Sequence, residues 1–156
     1  MLHQFCKYNN WANSLLLTAL MDNPATLCGP CISLFSHLVN AQLIWVSRIN
    51  GIKPDVGVWQ VHDLNICRQL LDESENSLSK MEYTEATASA AIIKYTTSSG
   101  DWYETSVADI LLHVFNHGTY HRAQIAREMK LNGLNPIHTD YILFVRQQAN
   151  SAPGKY

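Results

Sequence analysis

Three histidines recur at intervals of four residues between positions 113 and 124, and this spacing constrains the fold more than any other feature of the sequence. On an α-helix, each step of four residues advances about 6 Å and turns about 40°. His113, His117 and His121 would therefore lie in one stripe, and neighbours in that stripe are close enough to share a metal ion. Imidazole is a common ligand for Zn, Ni, Cu and Fe. The spacing therefore predicts a metal site built on a helix.

One ion cannot bind the whole stripe, because His113 and His121 would lie about 12 Å apart along the helix axis. Spacing alone leaves two pairs open, His113 with His117 or His117 with His121. Either pair needs at least one further ligand from another element. The alternative is that these histidines are ordinary hydrogen-bonded polar residues, but three of the seven histidines in one register favour the metal site.

The residues around the stripe predict a long helix that runs from Ser106 to about Leu131. Ser106 is a suitable N-cap with Asp109 as its capping-box partner, and Asn132-Gly133 is a typical helix end. A second face of this helix is also apolar, which predicts a central position or an oligomer interface. That face consists of Leu111, Leu112, Phe115, Ala126 and Met129.

Three more helices are predicted before the histidine helix, because apolar residues recur there at steps of three and four. They cover residues 3–22, 30–50 and 64–83, with Asp63 as the cap of the third. His37 lies at the edge of the apolar face of the second helix. A histidine in that place is either hydrogen-bonded in the core or a metal ligand, and the stripe on another helix favours the ligand.

The remaining segments complete the predicted fold. Residues 52–61 lack helical periodicity and are predicted to form a loop, while β-prone stretches at 91–97 and 102–105 predict a short hairpin. A last helix is predicted at 138–148. Together these elements predict an all-α four-helix bundle with a small β-hairpin before the histidine-bearing fourth helix. We expect a single domain over residues 1–150, followed by a C-terminal tail at 151–156.

Composition excludes several functional classes. The chain has 156 residues, 47% of them hydrophobic and 15% charged, with a formal net charge of -2. Such a chain can build a full core, but it has no general attraction to nucleic acid and no basic run that would form a local patch. No apolar stretch approaches the length of about 18 residues that spans a membrane, and the N-terminus does not resemble a signal peptide. We expect a cytoplasmic protein with mostly reduced cysteines and neither nucleic acid nor membrane as a partner.

Three sequence pieces resemble the DinB/YfiT-like family, whose members are regarded as metal-dependent enzymes. The first is Tyr8-Asn9-x-Trp11-Ala12-Asn13. The second is His37 followed by Asn40-Ala41-Gln42 and Trp45, and the third is His113-x-x-Asn116-His117-x-x-x-His121-Arg122-x-Gln124. Their order covers nearly the whole chain, and the third piece is the most specific. One departure is Ala123, where the family often has glycine.

The resemblance implies an up-down-down-up four-helix bundle that commonly forms a homodimer. It also implies a divalent metal ion, such as Zn, Ni or Mn, held by one histidine of the second helix and two of the late helix. Carried over to this sequence, those ligands are His37, His117 and His121, and His113 falls outside the metal set. Asn116 and Gln124 lie beside the stripe and are candidates for orienting metal or ligand.

Three histidine ligands leave positions open for water or substrate, which is typical of a catalytic metal. Characterised relatives include transferases and isomerases that use low-molecular-weight thiols. The resemblance therefore implies a thiol-dependent S-transferase acting on a small electrophile. A metal-dependent hydrolase and a non-catalytic metal-binding or structural bundle stay open as alternatives, and the sequence identifies no catalytic residue and no substrate.

The sequence Cys28-Gly29-Pro30-Cys31 carries a competing signal, because it matches the redox dithiol of thioredoxin-like proteins. A cysteine at a helix N-terminus has a stabilised thiolate. However, thioredoxin-like folds place this motif after a buried strand, and no βαβ pattern surrounds it here. Dithiol redox activity is therefore a minor alternative.

Overall fold

The computed structural model describes residues 1–23, 29–81, 83–97 and 99–151. Four long helices dominate this part of the chain, and a short helix, a two-stranded hairpin and a last helix complete it. In chain order the elements are α1 Leu2–Met21, α2 Gly29–Ile49, α3 Leu64–Ser79, α4 Glu85–Ala90, β1 Ile92–Thr96, β2 Trp102–Ser106, α5 Val107–Leu131 and α6 Tyr141–Ser151. The two strands pair antiparallel, with Ile92 opposite Ser106 and Thr96 opposite Trp102.

The directions of the long helices follow from two hydrophobic clusters, one at each end of the bundle. The first cluster joins the C-terminal halves of α1 and α5 to the N-terminal halves of α2 and α3, as Leu20, Phe35 and Leu71 illustrate. The second joins the opposite halves of the same four helices, as Cys6 and Val46 illustrate. Helices α1 and α5 therefore run one way, and α2 and α3 run the other. This arrangement confirms the predicted up-down-down-up bundle with its hairpin before the histidine helix.

Helix α5 lies in contact with both α1 and α2. Capping residues determine where this helix begins and ends. The Ser106 hydroxyl accepts a hydrogen bond from the Asp109 backbone N–H and donates one to the Asp109 carboxylate at 2.6 Å. At the other end, Gly133 has a φ of 77°, which favours glycine because a side chain would be strained there. Leu111, Phe115 and Met129 are buried within the chain, so its own core absorbs much of the second apolar face.

Two differences separate the predicted and observed elements. Helix α3 ends at Ser79 rather than near residue 83, and the six-residue helix α4 follows it. Thr84 and Thr87 form a reciprocal capping box that starts α4, and this local device carries no hydrophobic period from which a helix can be predicted. The last helix begins at Tyr141, three residues later than predicted, and continues to Ser151. Residues 152–156 of the expected tail lie outside the described residues.

The described part of the chain contains no helix that is both long enough and apolar enough to cross a membrane.

Candidate metal centre

His37 on α2 meets His117 and His121 on α5 in the interior of the bundle. The nitrogen atoms that these three side chains offer all lie within 4.8 Å of one another. His37 and His121 are buried, each with 6% of its surface exposed, and His117 is half-buried. The helical step of four places His117 and His121 side by side, and the antiparallel packing of α2 on α5 adds the third imidazole.

Hydrogen bonds behind the cluster fix which ring nitrogen faces inward. His37 Nδ1 lies 2.9 Å from the Val58 carbonyl oxygen, and His121 Nδ1 lies 2.7 Å from Gln124 Oε1. Carbonyl oxygens only accept, so both Nδ1 atoms donate. When these imidazoles are neutral, their Nε2 atoms carry the lone pair that a metal needs. Such a hydrogen bond from Nδ1 is the usual support for a metal-bound histidine.

The spacing of the imidazoles fits a single ion. The Nε2 atoms of His117 and His121 are 3.1 Å apart. Two nitrogens that bind one tetrahedral zinc ion at about 2.0–2.1 Å are separated by about 3.3 Å. The pair is therefore close to ligand spacing without any movement of the helices, and the residues present fit a divalent metal ion.

Burial and mutual repulsion disfavour protonation of His117 and His121. Desolvation lowers the pKa of His117 to about 4, and the neighbouring charges of His121, His37 and His113 add to this effect. Desolvation, followed by the proximity of His37, also lowers the pKa of His121, although the hydrogen bond to Gln124 opposes this. Neutral imidazole is the form that binds metal, so these two rings are ready ligands at neutral pH.

The same shifts predict how pH affects the metal-free protein. An unfolded histidine takes up a proton near pH 6.5, but folded His117 resists it down to about 4. The contribution of His117 to the free energy of unfolding should therefore be constant above about pH 6.5 and decrease as the pH drops towards 4. The slope from this group is at most about 1.4 kcal/mol per pH unit. Chemical denaturation across this range should give a shallower pH dependence for His117→Asn than for the exposed control His138→Asn, and equal slopes would contradict the prediction.

Gln124 is the support that is simplest to test. Gln124→Leu removes the acceptor for His121 Nδ1, so the ring loses its fixed orientation and tautomer. We expect metal affinity to fall by about 10–100-fold, measured by competition with a chelator. Gln124→Glu keeps an acceptor at the same place and should retain the affinity. If both variants bind metal like the unmodified protein, the hydrogen bond does not support the site.

The loop between α2 and α3 covers His37, and sequence patterns did not identify its role. Trp59 stacks on the imidazole of His37 with ring centres 3.7 Å apart and planes 9° apart. The buried Asn40 holds the loop by donating to the Gln60 carbonyl at 2.7 Å and bonding His62 Nε2 at 2.9 Å. The sequence shows only a tryptophan within an aperiodic segment, and nothing in that pattern indicates a contact with a residue on α2.

A pocket of about 220 Å³ opens beside the cluster, and both His37 and His117 line it. Trp45 and Arg48 of α2 form further wall, and Thr97 after β1 closes it from the hairpin side. A larger cavity of about 540 Å³ lies elsewhere, between α1, α5 and the segment leading into α6. The larger cavity is lined by none of the three clustered histidines, so the smaller pocket is the one that adjoins the candidate metal site.

The other residues that the sequence singled out lie outside the cluster of three histidines. His113 is exposed and its ring lies against Trp45 and His117, outside the cluster of three. Asn116 lines the larger cavity rather than the metal pocket, whereas Gln124 contacts His121 as described. Ala123 is exposed, so glycine is not needed there for close helix packing.

Only one cysteine of the candidate dithiol lies among the described residues, so the dithiol hypothesis stays untested. Cys31 is completely buried in the hydrophobic core, and Cys28 lies outside the described residues. Cys6 and Cys67 are also buried, as expected for core residues, and desolvation raises the pKa of both thiols.

Comparisons with known proteins agree with the geometry. The family model of the DinB family matches residues 32–154, a range that contains all three clustered histidines. The chain is also similar to the protein DinB of Bacillus subtilis (strain 168), with 26% identity over an alignment of 161 positions, gaps included, that spans 89% of this chain and 90% of the relative. Because the family match covers most of the chain, the protein belongs to the DinB family.

Proposed function

We propose that the protein is a divalent-metal-dependent enzyme that transfers a small thiol to an electrophilic small molecule. The observation that carries this proposal is the cluster of three imidazoles, two of which, His37 and His117, line a pocket. Three protein ligands leave at least one position on an ion open, as in catalytic sites. A bound divalent ion would supply a positive charge that favours the deprotonated form of a thiol or water.

The all-nitrogen donor set narrows the choice of metal. Imidazole suits Zn and Ni, whereas Mn prefers oxygen ligands. Among the described residues, the cluster contains three histidines and no carboxylate. We therefore favour Zn or Ni over Mn as the resident ion, with His37, His117 and His121 as its ligands.

The pocket favours a thiol over water as the nucleophile. Attack by water is assisted by a general base that accepts its proton, and the described residues that line the pocket include neither Asp nor Glu. A thiol has an ordinary pKa near 8.5 and needs less assistance. The lining also contains no cysteine, so the thiol would be a small diffusible molecule. Its sulfur would bond to an electrophilic carbon while the leaving group departs with its electrons and the thiol proton passes to solvent.

A substrate screen tests this proposal. Protein purified without a histidine tag and loaded with Zn or Ni is given small electrophiles with and without added thiols, and separately small esters and amides. We expect metal-dependent turnover only when a thiol is present. Turnover of esters or amides alone would establish a hydrolase instead. Bound metal without turnover in either panel would favour a non-catalytic metal-binding bundle.

We also propose that the protein is a homodimer, as the family resemblance implies. Exposed Leu112 and Tyr120 on α5, with 53% and 62% of their surfaces accessible, give a starting surface. Light scattering at micromolar concentration should give twice the 17.6 kDa mass of one chain. Leu112→Glu should lower the dimer fraction, because it places a charge within an apolar contact. A mass of one chain for the unmodified protein would contradict this proposal.

A further inference from the structure

Arg48 is the one charged residue on the described wall of the histidine pocket. Its guanidinium carbon lies 4.6 Å from the centre of the Trp45 ring and 4.9 Å from the centre of the Tyr95 ring. Trp45 comes from α2 and Tyr95 from β1, so helix and hairpin together hold the cation in place. A guanidinium stacked on aromatic rings keeps its hydrogen-bond donors free at its edge.

The cation has no anionic partner in the part of the chain that the structure describes. The ion pairs there join Met1 to Glu85, Lys94 to Glu104, and Arg127 to Glu128. Arg48 is half-buried, and desolvation lowers its pKa, although a guanidinium stays charged under all ordinary conditions. A partly desolvated charge without a counter-charge gains more from an incoming anion than a fully hydrated one does.

The pocket connects this cation to the imidazoles. Helix α2 contributes five residues to one wall over about three turns, namely His37, Ala41, Ile44, Trp45 and Arg48. The wall therefore follows the helix axis for about 16 Å, and Arg48 stacks on Trp45, which is three residues nearer to His37. The pocket volume of about 220 Å³ lies below the range of about 300–1,000 Å³ that is typical of pockets for drug-sized ligands.

We propose that Arg48 binds an anionic oxygen group, such as a carboxylate or sulfonate, on the small molecule that occupies the histidine pocket. This inference rests on the proposed function, because it assigns a substrate class to the same site. The planar fork of the guanidinium can donate two parallel hydrogen bonds to such a group. The substrate would then be oriented with its anionic end at Arg48 and its remainder towards His37 and His117. The hairpin acquires a role as well, since Tyr95 stacks on Arg48 and Thr97, which follows β1, lines the pocket.

Binding of matched probes tests the proposal without any turnover. Benzenesulfonate and methyl phenyl sulfone have similar shapes, but only the first is charged, and a sulfonate is a weak ligand for metal ions. Their affinities are measured by calorimetry on metal-loaded and metal-free protein. We expect about tenfold tighter binding of the sulfonate in both forms. Arg48→Gln should remove this preference, and Arg48→Lys should retain part of it.

Arg146→Gln is the matched control, because it removes the same charge from an exposed position on α6 and should leave the preference unchanged. Thermal melting checks that each variant is folded. Equal affinities of the two probes in the unmodified protein would overturn the proposal, and so would a preference that survives in Arg48→Gln. Thiol-dependent turnover without the sulfonate preference would reject this inference alone, whereas the preference without turnover would reject only the transferase.

Discussion

Replacing His37, His117 or His121 by alanine is expected to abolish stoichiometric metal binding, whereas His113→Ala should retain it. Each of the three offers a nitrogen to the same small volume. Changes to groups that merely support a ligand typically cost 10–100-fold in affinity, so loss of a ligand should cost more than about 100-fold. Elemental analysis and competition with a chelator measure the effect on protein purified without a histidine tag.

His113→Ala is a close control because His113 belongs to the same helical stripe and its ring centre lies 5.3 Å from that of His117. It removes an imidazole from the same helix face without removing a member of the cluster. Circular dichroism should show that all four variants keep their helices. Loss of metal in His113→Ala together with retention in His121→Ala would reverse the pairing and place the ion one turn earlier on α5.

The metal site was predictable from the sequence in part, and the missing part concerns three-dimensional packing. A spacing of four identifies neighbours on a helix, so the stripe itself could be predicted. It cannot distinguish His113/His117 from His117/His121, because that choice depends on the level at which α2 presents His37. Family resemblance selected the second pair, and the structure places that pair beside His37. Whether the three bind metal stays a prediction.

The loop contacts could not have been predicted from periodicity. The Val58 carbonyl and the Trp59 ring contact His37 from 21 and 22 positions away along the chain. A segment without regular structure has no sequence pattern that indicates such contacts.

The pKa values of the clustered histidines could not be predicted from the sequence either. A typical imidazole would lose metal as the pH falls through about 6, but burial and crowding lower the pKa of His117 to about 4. We therefore expect the loss at a lower pH.

The fold was easier to predict because long amphipathic helices repeat their signal over many turns. Helices α1, α2 and α5 begin and end within about one residue of the predicted positions. Prediction was least accurate where a few residues decide the structure, at the end of α3 and at α4. There the hydroxyl groups of Thr84 and Thr87 set the helix start, and a hydrophobic pattern does not register them.

Arg122→Met is expected to destabilise the protein by about 2–4 kcal/mol, which lowers the melting temperature by roughly 5–15 °C. Arg122 is only 3% exposed, and its Nη1 donates to Asn9 Oδ1 at 3.1 Å and to Asn13 Oδ1 at 2.7 Å. Asn9 in turn donates to Gln42 Oε1 at 2.7 Å. The network ties α1, α2 and α5 together, and methionine would leave two buried amide oxygens without their donor. Arg127→Met, at an exposed ion pair on the same helix, should cost less than about 1 kcal/mol.

Gly118→Ala is a second test of this network, because the network and helix propensity predict opposite changes in stability. Alanine is more favourable than glycine inside a helix by roughly 1 kcal/mol, so Gly118→Ala would stabilise α5 if nothing lay above it. A Cβ at this position would lie 2.7 Å from Asn9 Oδ1 and 2.9 Å from Arg122 Nη1, too close for either contact to persist. We therefore expect Gly118→Ala to lower the melting temperature, and to add little further loss in an Arg122→Met background, since both changes break the same contacts. A higher melting temperature for Gly118→Ala, or fully additive losses in the double variant, would show that the network does not hold these three helices together.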